Sequence, residues 1–170
     1  MRIIVCIKQI LDPRGLTVNR KAEKIFVNRE EYVIDPASKA ALEMAESIKG
    51  SGDEVIAISI GPARVDEALR EALARGADRS ILIRSDDPLD AFVAVNLIAA
   101  AIDMIGEVDL ILCGDRSLDT ACGEVAPRLA EAHPDCYFLM PDGASYHGHT
   151  ITGGKKSSGG PLALKRELRE

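Results

Sequence analysis

The sequence predicts an open three-layer α/β fold, a parallel sheet with helices on both faces, followed by a C-terminal hairpin or arm. Three observations carry that expectation. Short apolar runs recur at residues 3–7, 54–60, 80–84 and 109–113, without the polar alternation of a sheet that has one wet face. The segments between them are long enough for crossovers, and most carry apolar residues at helical spacing. Strand alternating with helix implies right-handed βαβ units and therefore parallel strands.

The first run, residues 3–7, is apolar throughout, which suits a central strand, and Lys8 follows it toward the crevice. Residues 12–32 are polar and irregular. Within them Ile25 and Val27 alternate with polar neighbours, so 24–27 reads as a short strand or hairpin arm. A helix should then start with Asp35 as N-cap and Pro36 in the first position, with Ala41, Leu42, Ala45 and Ile48 on its inner face and Gly50 at its end. After the strand 54–60, Gly61 and Pro62 turn the chain into a helix over 64–75, whose inner face is Val65, Leu69, Ala72 and Leu73. A strand at 80–84 precedes a helix from Pro88 to about Ile105, capped by Gly106. The strand 109–113 ends at Gly114, a polar loop runs to Gly123, and a helix over 123–132 stops before Pro134. Residues 136–140 suit a fifth strand. Beyond them the chain is rich in Gly and Ser, with candidate strands at 145–152 and 162–168.

At 170 residues the chain suits one domain, with residues 1–140 as its α/β body and 141–170 as an arm of the same unit. Acidic residues outnumber basic ones 27 to 21, a net charge of −6, which disfavours a nucleic-acid surface. The longest apolar stretch, 91–105, carries Asn96 and Asp103 and is too short to cross a bilayer, so no membrane insertion is expected. The N-terminus runs straight into a strand pattern, so a cytoplasmic location is expected.

Strand, glycine, polar loop and helix in that order place a loop over the carboxyl end of a sheet strand, where open α/β sheets bind ligands. Residues 6–8, 35–38 with 60–62, and 114–125 should meet there, offering backbone amides, one lysine and several hydroxyls. The helix start near 123–125 presents unpaired N–H groups and a positive dipole end, suited to phosphate. No G-x-G-x-x-G follows the first strand and no G-x-x-x-x-G-K-[ST] occurs, which argues against ordinary NAD sites and P-loop NTPases. The run 157–160, SSGG, reads as a linker because it does not stand between strand and helix.

Side-chain catalysis is not indicated, since no Ser-His-Asp or Cys-His arrangement has a defensible placement; the chain reads as a carrier or binding module, not an enzyme. His147 and His149 share a strand face as a metal half-site, but no further ligand accompanies them and no metal is expected. His133, before Pro134 at a helix end, reads as structural. Cys6 and Cys113 fall in strands, where a thiol serves as a small core hydrophobe. Cys122 lies in the ligand-side loop near a helix start able to lower a thiol pKa, or is simply a small residue there.

The chain resembles the β subunit of electron transfer flavoprotein, in a superfamily of Rossmann-like adenine-nucleotide-binding folds. The resemblance rests on IVCIKQILDP, IDPASKAALEMA, EVIAISIGPARVDEALREALARGADRSILI, and DLILCGDRSLD followed by EVAPRLAE. It implies an adenine-nucleotide-binding α/β domain, AMP or FAD as cofactor, and an α-type partner subunit that holds the electron-carrying flavin. By position it puts nucleotide contacts on Cys6, Ile7 and Lys8; on Asp35, Pro36, Ala37 and Ser38; on Ile60; and on Gly114, Asp115, Arg116, Ser117, Asp119, Gly123, Glu124 and Val125.

Three positions depart from the family pattern. An acidic pair keeps Asp119 but has Ala121 second, Glu124 replaces a Gln, and Ala126 replaces the Gly of a V-G-P run. Glu124 brings negative charge near the phosphate position. The chain also ends about where the family continues into a segment that grips the α subunit, so ordinary dehydrogenase docking is not expected. The alternative to an electron transfer subunit is therefore a nucleotide-free interaction or regulatory module on the same scaffold, with homodimerisation open to either. A small ATP-binding stress-type domain ranks last, because 114–123 supplies only the end glycines of its phosphate loop.

Overall fold

The computed structural model describes residues 1–133 in full and, beyond them, the backbone of Tyr137–Leu139 and Ser145–Tyr146. Its main sheet contains β1 (Arg2–Cys6), β6 (Glu54–Gly61), β7 (Arg79–Arg84), β8 (Leu110–Leu112), β9 (Tyr137–Leu139) and β10 (Ser145–Tyr146). Their spatial order is β10-β9-β8-β1-β6-β7, parallel except for the β9–β10 pair. The chain leaves β1 toward β6 and β7, then crosses back to β8 and β9. The direction of winding thus reverses between β1 and β8, the crevice where doubly wound sheets bind ligands.

Strand alternation divides the core into two layers. Ile3, Val5, Val55, Ala57, Leu110 and Leu112 face α1 (Pro36–Ile48) and α2 (Val65–Ala74), where they meet Ala41, Leu42, Ala45, Ala68, Leu69 and Ala72. Ile4, Ile56, Ile58, Ile111 and Cys113 face α3 (Ala91–Ile105) and α4 (Val125–Ala132), through Val95, Ile98, Ile102, Ala126 and Leu129. Both faces of β1 and β8 are covered, which is why those strands read as unbroken apolar runs. This is the three-layer fold expected from the sequence.

The helices begin where their chemistry places them. Asp35 caps α1 by accepting the Ala37 amide at 2.9 Å, with Pro36 in the first turn. Asp90 caps α3 through the Val93 amide at 2.8 Å, so that helix starts three residues later than Pro88 suggested.

Between β1 and α1 the chain adds two small antiparallel pairs. β2 (Gln9–Leu11) pairs with β5 (Tyr32–Ile34), and β3 (Leu16–Asn19) pairs with β4 (Lys24–Val27). Asp12, almost fully buried, anchors their root by accepting from both the Arg14 amide and the Arg14 guanidinium. The Arg14 guanidinium and amide together pull the Asp12 carboxyl down to about 2. The expected strand at 24–27 is present; its partner β3 lies in the stretch 12–32 expected to be irregular, and the β2–β5 pair has no counterpart among the expected strands. β9 falls within the strand expected at 136–140 and β10 within the one expected at 145–152; the rest of the arm, with His147, His149 and the SSGG run, lies outside the described residues.

Candidate functional site

A cleft of about 880 Å³ opens at the carboxyl ends of β1, β6 and β8. Its floor is the switch point. Ile7 leaves β1 still bonded to the sheet, donating its amide to Ile58 O at 2.8 Å while its own carbonyl accepts from the buried Ser59 hydroxyl at 2.7 Å. The Lys8 amide donates to Ser38 Oγ at 3.1 Å, and the Asp35 amide donates to Lys8 O at 2.8 Å. Thus β1 and the start of α1 are tied together edge to edge.

The far wall is the loop from Gly114 to Gly123. Gly114 passes so close to α1 that an added Cβ would stand 2.6 Å from Ala37 Cβ. Asp35, 1% exposed, reaches across and accepts the Leu118 amide at 2.8 Å. One carboxylate therefore caps α1 and fixes the loop. At the loop's end Ala121 (φ 52°) and Gly123 (φ 65°) take left-handed backbone, which turns the chain into α4. Glu124 stands at the N-cap of α4 without a capping side-chain bond. The first amides of that helix thereby stay open to a ligand.

The cleft's four cations each have a partner. Lys8 Nζ donates to Asp119 Oδ1 at 2.7 Å and Ser117 Oγ at 3.0 Å. Arg128 is paired with Glu124 at 2.9 Å, Arg116 with Asp115 at 3.6 Å, and the Arg64 guanidinium lies 4.2 Å from the centre of the Tyr32 ring. Partial burial raises the Asp119 carboxyl; the Lys8 ammonium and Ser117 hydroxyl more than offset that and leave it below its ordinary value. With its lysine and arginines so engaged, the site offers an anion mainly backbone N–H groups.

Of the residues named from the sequence, the cleft wall contains Cys6, Ile7, Lys8, Asp35, Ser38, Ile60, Gly114, Asp115, Arg116, Ser117, Asp119, Gly123, Glu124 and Val125. Pro36 and Ala37 stand beside it: the Ala37 amide is taken by Asp35 and its Cβ abuts Gly114. Sequence reasoning missed the β7–α3 connection, where Ser85, Asp86, Asp87 and Asp90 with Phe92 form another wall. It also missed Gln9, whose amide nitrogen donates to Arg64 O at 3.1 Å. The acidic stretch after a strand, S-D-D-P, was the available signal; it carries no motif, and only the winding of the sheet brings it to the crevice.

No helix among the described residues is long and apolar enough to cross a membrane. The sequence model of the Electron transfer flavoprotein domain matches residues 24–133. The chain is 33% identical over 178 residues to the acryloyl-CoA reductase electron transfer subunit gamma of Anaerotignum propionicum, covering 100% of this chain and 61% of that one. It is 33% identical to the electron transfer flavoprotein subunit beta of Thermoanaerobacterium thermosaccharolyticum, covering 77% and 51%. Against Protein FixA of Sinorhizobium fredii the identity is 30%, covering 99% and 62%. The chain thus spans roughly half to three fifths of the length of these curated relatives. A doubly wound sheet, a crevice at its switch point and a family match across most of the described residues lead to one assignment: the chain belongs to the electron transfer flavoprotein family, as a β-like member.

Proposed function

We propose that this chain is an electron transfer subunit that binds an adenine nucleotide, AMP or FAD, in the cleft between β1, β6 and β8 and works with an α-type flavoprotein partner. The observation that carries the reading is the open start of α4, at the rim of a cleft that Ile7, Ile60 and Ile98 also line. A purine wants flat apolar walls, and its phosphate wants backbone amides at a helix start. At about 880 Å³ the cleft lies in the range of small-molecule sites.

In that reading Ile7, Ile60 and the Cys6 side chain would bear on the base. The loop from Gly114 to Gly123 would follow the ribose, and the amides of Glu124 and Val125 would take the phosphate. Lys8 holds the loop closed through Asp119 and Ser117 and so orients those amides. A bound FAD would supply one- and two-electron chemistry; AMP would be structural. The names of the relatives, an electron transfer subunit and a flavoprotein β subunit, support the electron-transfer role and an α-type partner.

The test is direct. The purified chain is denatured and its supernatant chromatographed for AMP and FAD, and the emptied chain is titrated with each. Release or micromolar binding of either supports the proposal. Absence of both, with a partner still captured, would leave a nucleotide-free interaction module.

A further inference from the structure

Cys6 and Cys113 end up side by side on the floor of the cleft. The β1–β8 register pairs Ile4 with Ile111 and Val5 with Leu112, so the next residues on these strands are Cys6 and Cys113. Both belong to the α3–α4 face of the sheet and both line the cleft. Neighbouring strands stand about 4.8 Å apart, which lies inside the Cα separation a disulfide spans. Cys113 is 2% exposed, whereas Cys6 is only partly buried. The Cys6 thiol beside it, together with burial, pushes the Cys113 thiol well above its ordinary value.

A buried cysteine by itself is an inert small hydrophobe. This pair differs because one member lines an open cleft and the other touches it from within the core. That is the layout of an attacking and a resolving thiol.

We propose that Cys6 and Cys113 form a redox-active dithiol that closes to a disulfide by exchange with low-molecular-weight disulfides such as oxidised glutathione. The Cys6 sulfur, losing its proton, attacks one sulfur of the reagent; the reagent's S–S bond breaks and one glutathione leaves as thiolate. The Cys113 sulfur, losing its proton, then attacks the Cys6 sulfur, breaking the mixed disulfide and releasing the second glutathione. Two protein thiols are oxidised by two electrons, one glutathione disulfide is reduced to two thiols, and the two protons pass to the departing thiolates. Closing the bridge must draw the two Cβ atoms nearer than sheet spacing, so the bond is readily reduced again. A nucleotide seated against Cys6 would shield its sulfur, so the exchange is a property of the empty cleft and is tested on the nucleotide-free chain.

The full chain, with Cys122→Ser and Cys136→Ser to silence the other thiols, is equilibrated at graded ratios of oxidised to reduced glutathione. It is then quenched with acid, alkylated and digested with trypsin without reduction. In the monomer band, peptide 3–8 should appear joined to peptide 85–116, with a mass two hydrogens below their sum. The link should disappear with dithiothreitol. With Cys113→Ser added, Cys6 should accumulate as an unresolved mixed disulfide. Two results would overturn the proposal: Cys6 stopping at the mixed disulfide while Cys113 remains alkylatable, or neither thiol reacting at an oxidising ratio. The same mapping on the unsubstituted chain decides the matter if the variants do not fold.

Discussion

The buried carboxylate of Asp35 accepts the backbone amide of Leu118 at 2.8 Å, joining residues 83 apart in sequence. Its second oxygen caps α1 through Ala37 at 2.9 Å. The wall of the cleft and the helix beside it are therefore held by one side chain, itself 1% exposed.

Asp35→Ala should lower stability by about 2–4 kcal/mol, combining a lost cap with the lost charge-assisted hydrogen bond that its buried carboxylate accepts from Leu118. Urea unfolding measures the loss. Limited trypsin digestion should also cut faster after Arg116, because the loop is no longer pinned. Asp35→Asn keeps one acceptor oxygen and turns an N–H toward the other amide, so it should fall between the two.

Gly114→Ala tests the close approach of β8's exit to α1. The added Cβ would meet Ala37 Cβ at 2.6 Å and the Ala37 carbonyl carbon at 3.0 Å. Backbone must shift, at a cost of about 1–3 kcal/mol. Adding Ala37→Gly relieves the first contact and not the second, so the double variant should recover part of the loss in a thermodynamic cycle.

How much of this was legible beforehand depends on which forces are local. Asp35-Pro36 announces a helix start by itself, and the apolar runs of β1, β6 and β8 announce burial on both faces. Leu16–Asn19 did not announce β3, because an exposed ribbon owes its pairing to β4 alone, and Val18 at 63% exposure shows no core to point at. The crevice itself was legible from strand–glycine–loop order. The wall made by Ser85, Asp87 and Asp90 was not, since it depends on which way the sheet winds. Nor was the double duty of Asp35, which only the three-dimensional closeness of Leu118 reveals.

α3 separates composition from position. The helix is apolar almost all round, yet Ile102 is 2% exposed and Met104 is 89% exposed. Ile102→Ala should cost about 2–5 kcal/mol in urea unfolding. Met104→Ala should stay within about 0.5 kcal/mol. Equal losses would mean the face bearing Met104 is covered in solution.

Asp119 gives a pH dependence of known sign. Its carboxyl sits below the ordinary value of 3.8 in the folded chain, so its contribution is complete above that value and fades as pH falls through the lower folded value. Because both Lys8 and Asp119 are about two fifths exposed, the contribution is screened and should be about 0.5 kcal/mol. Asp119→Asn should therefore be less stable than the unsubstituted chain at about pH 5, with the gap narrowing toward about pH 3. A gap that is absent at both pH values would show that Lys8 holds the loop through Ser117 and Thr120 instead.

Glu124 sits where a phosphate would meet α4, but its carboxylate is turned into an ion pair with Arg128, 2.9 Å away and one helical turn on. An exposed pair of that kind is worth a few tenths of a kcal/mol, so Glu124→Gln should leave stability nearly unchanged. Its effect on an anion at the helix start should be larger. Removing the negative charge and releasing the Arg128 guanidinium is worth about 0.3–1 kcal/mol, which predicts about two- to five-fold tighter AMP binding by calorimetry. Adenosine, lacking the phosphate, should bind both forms alike. Equal AMP affinities would mean that the phosphate does not lie at this helix start, whereas a parallel gain for adenosine would trace the change to the shape of the loop.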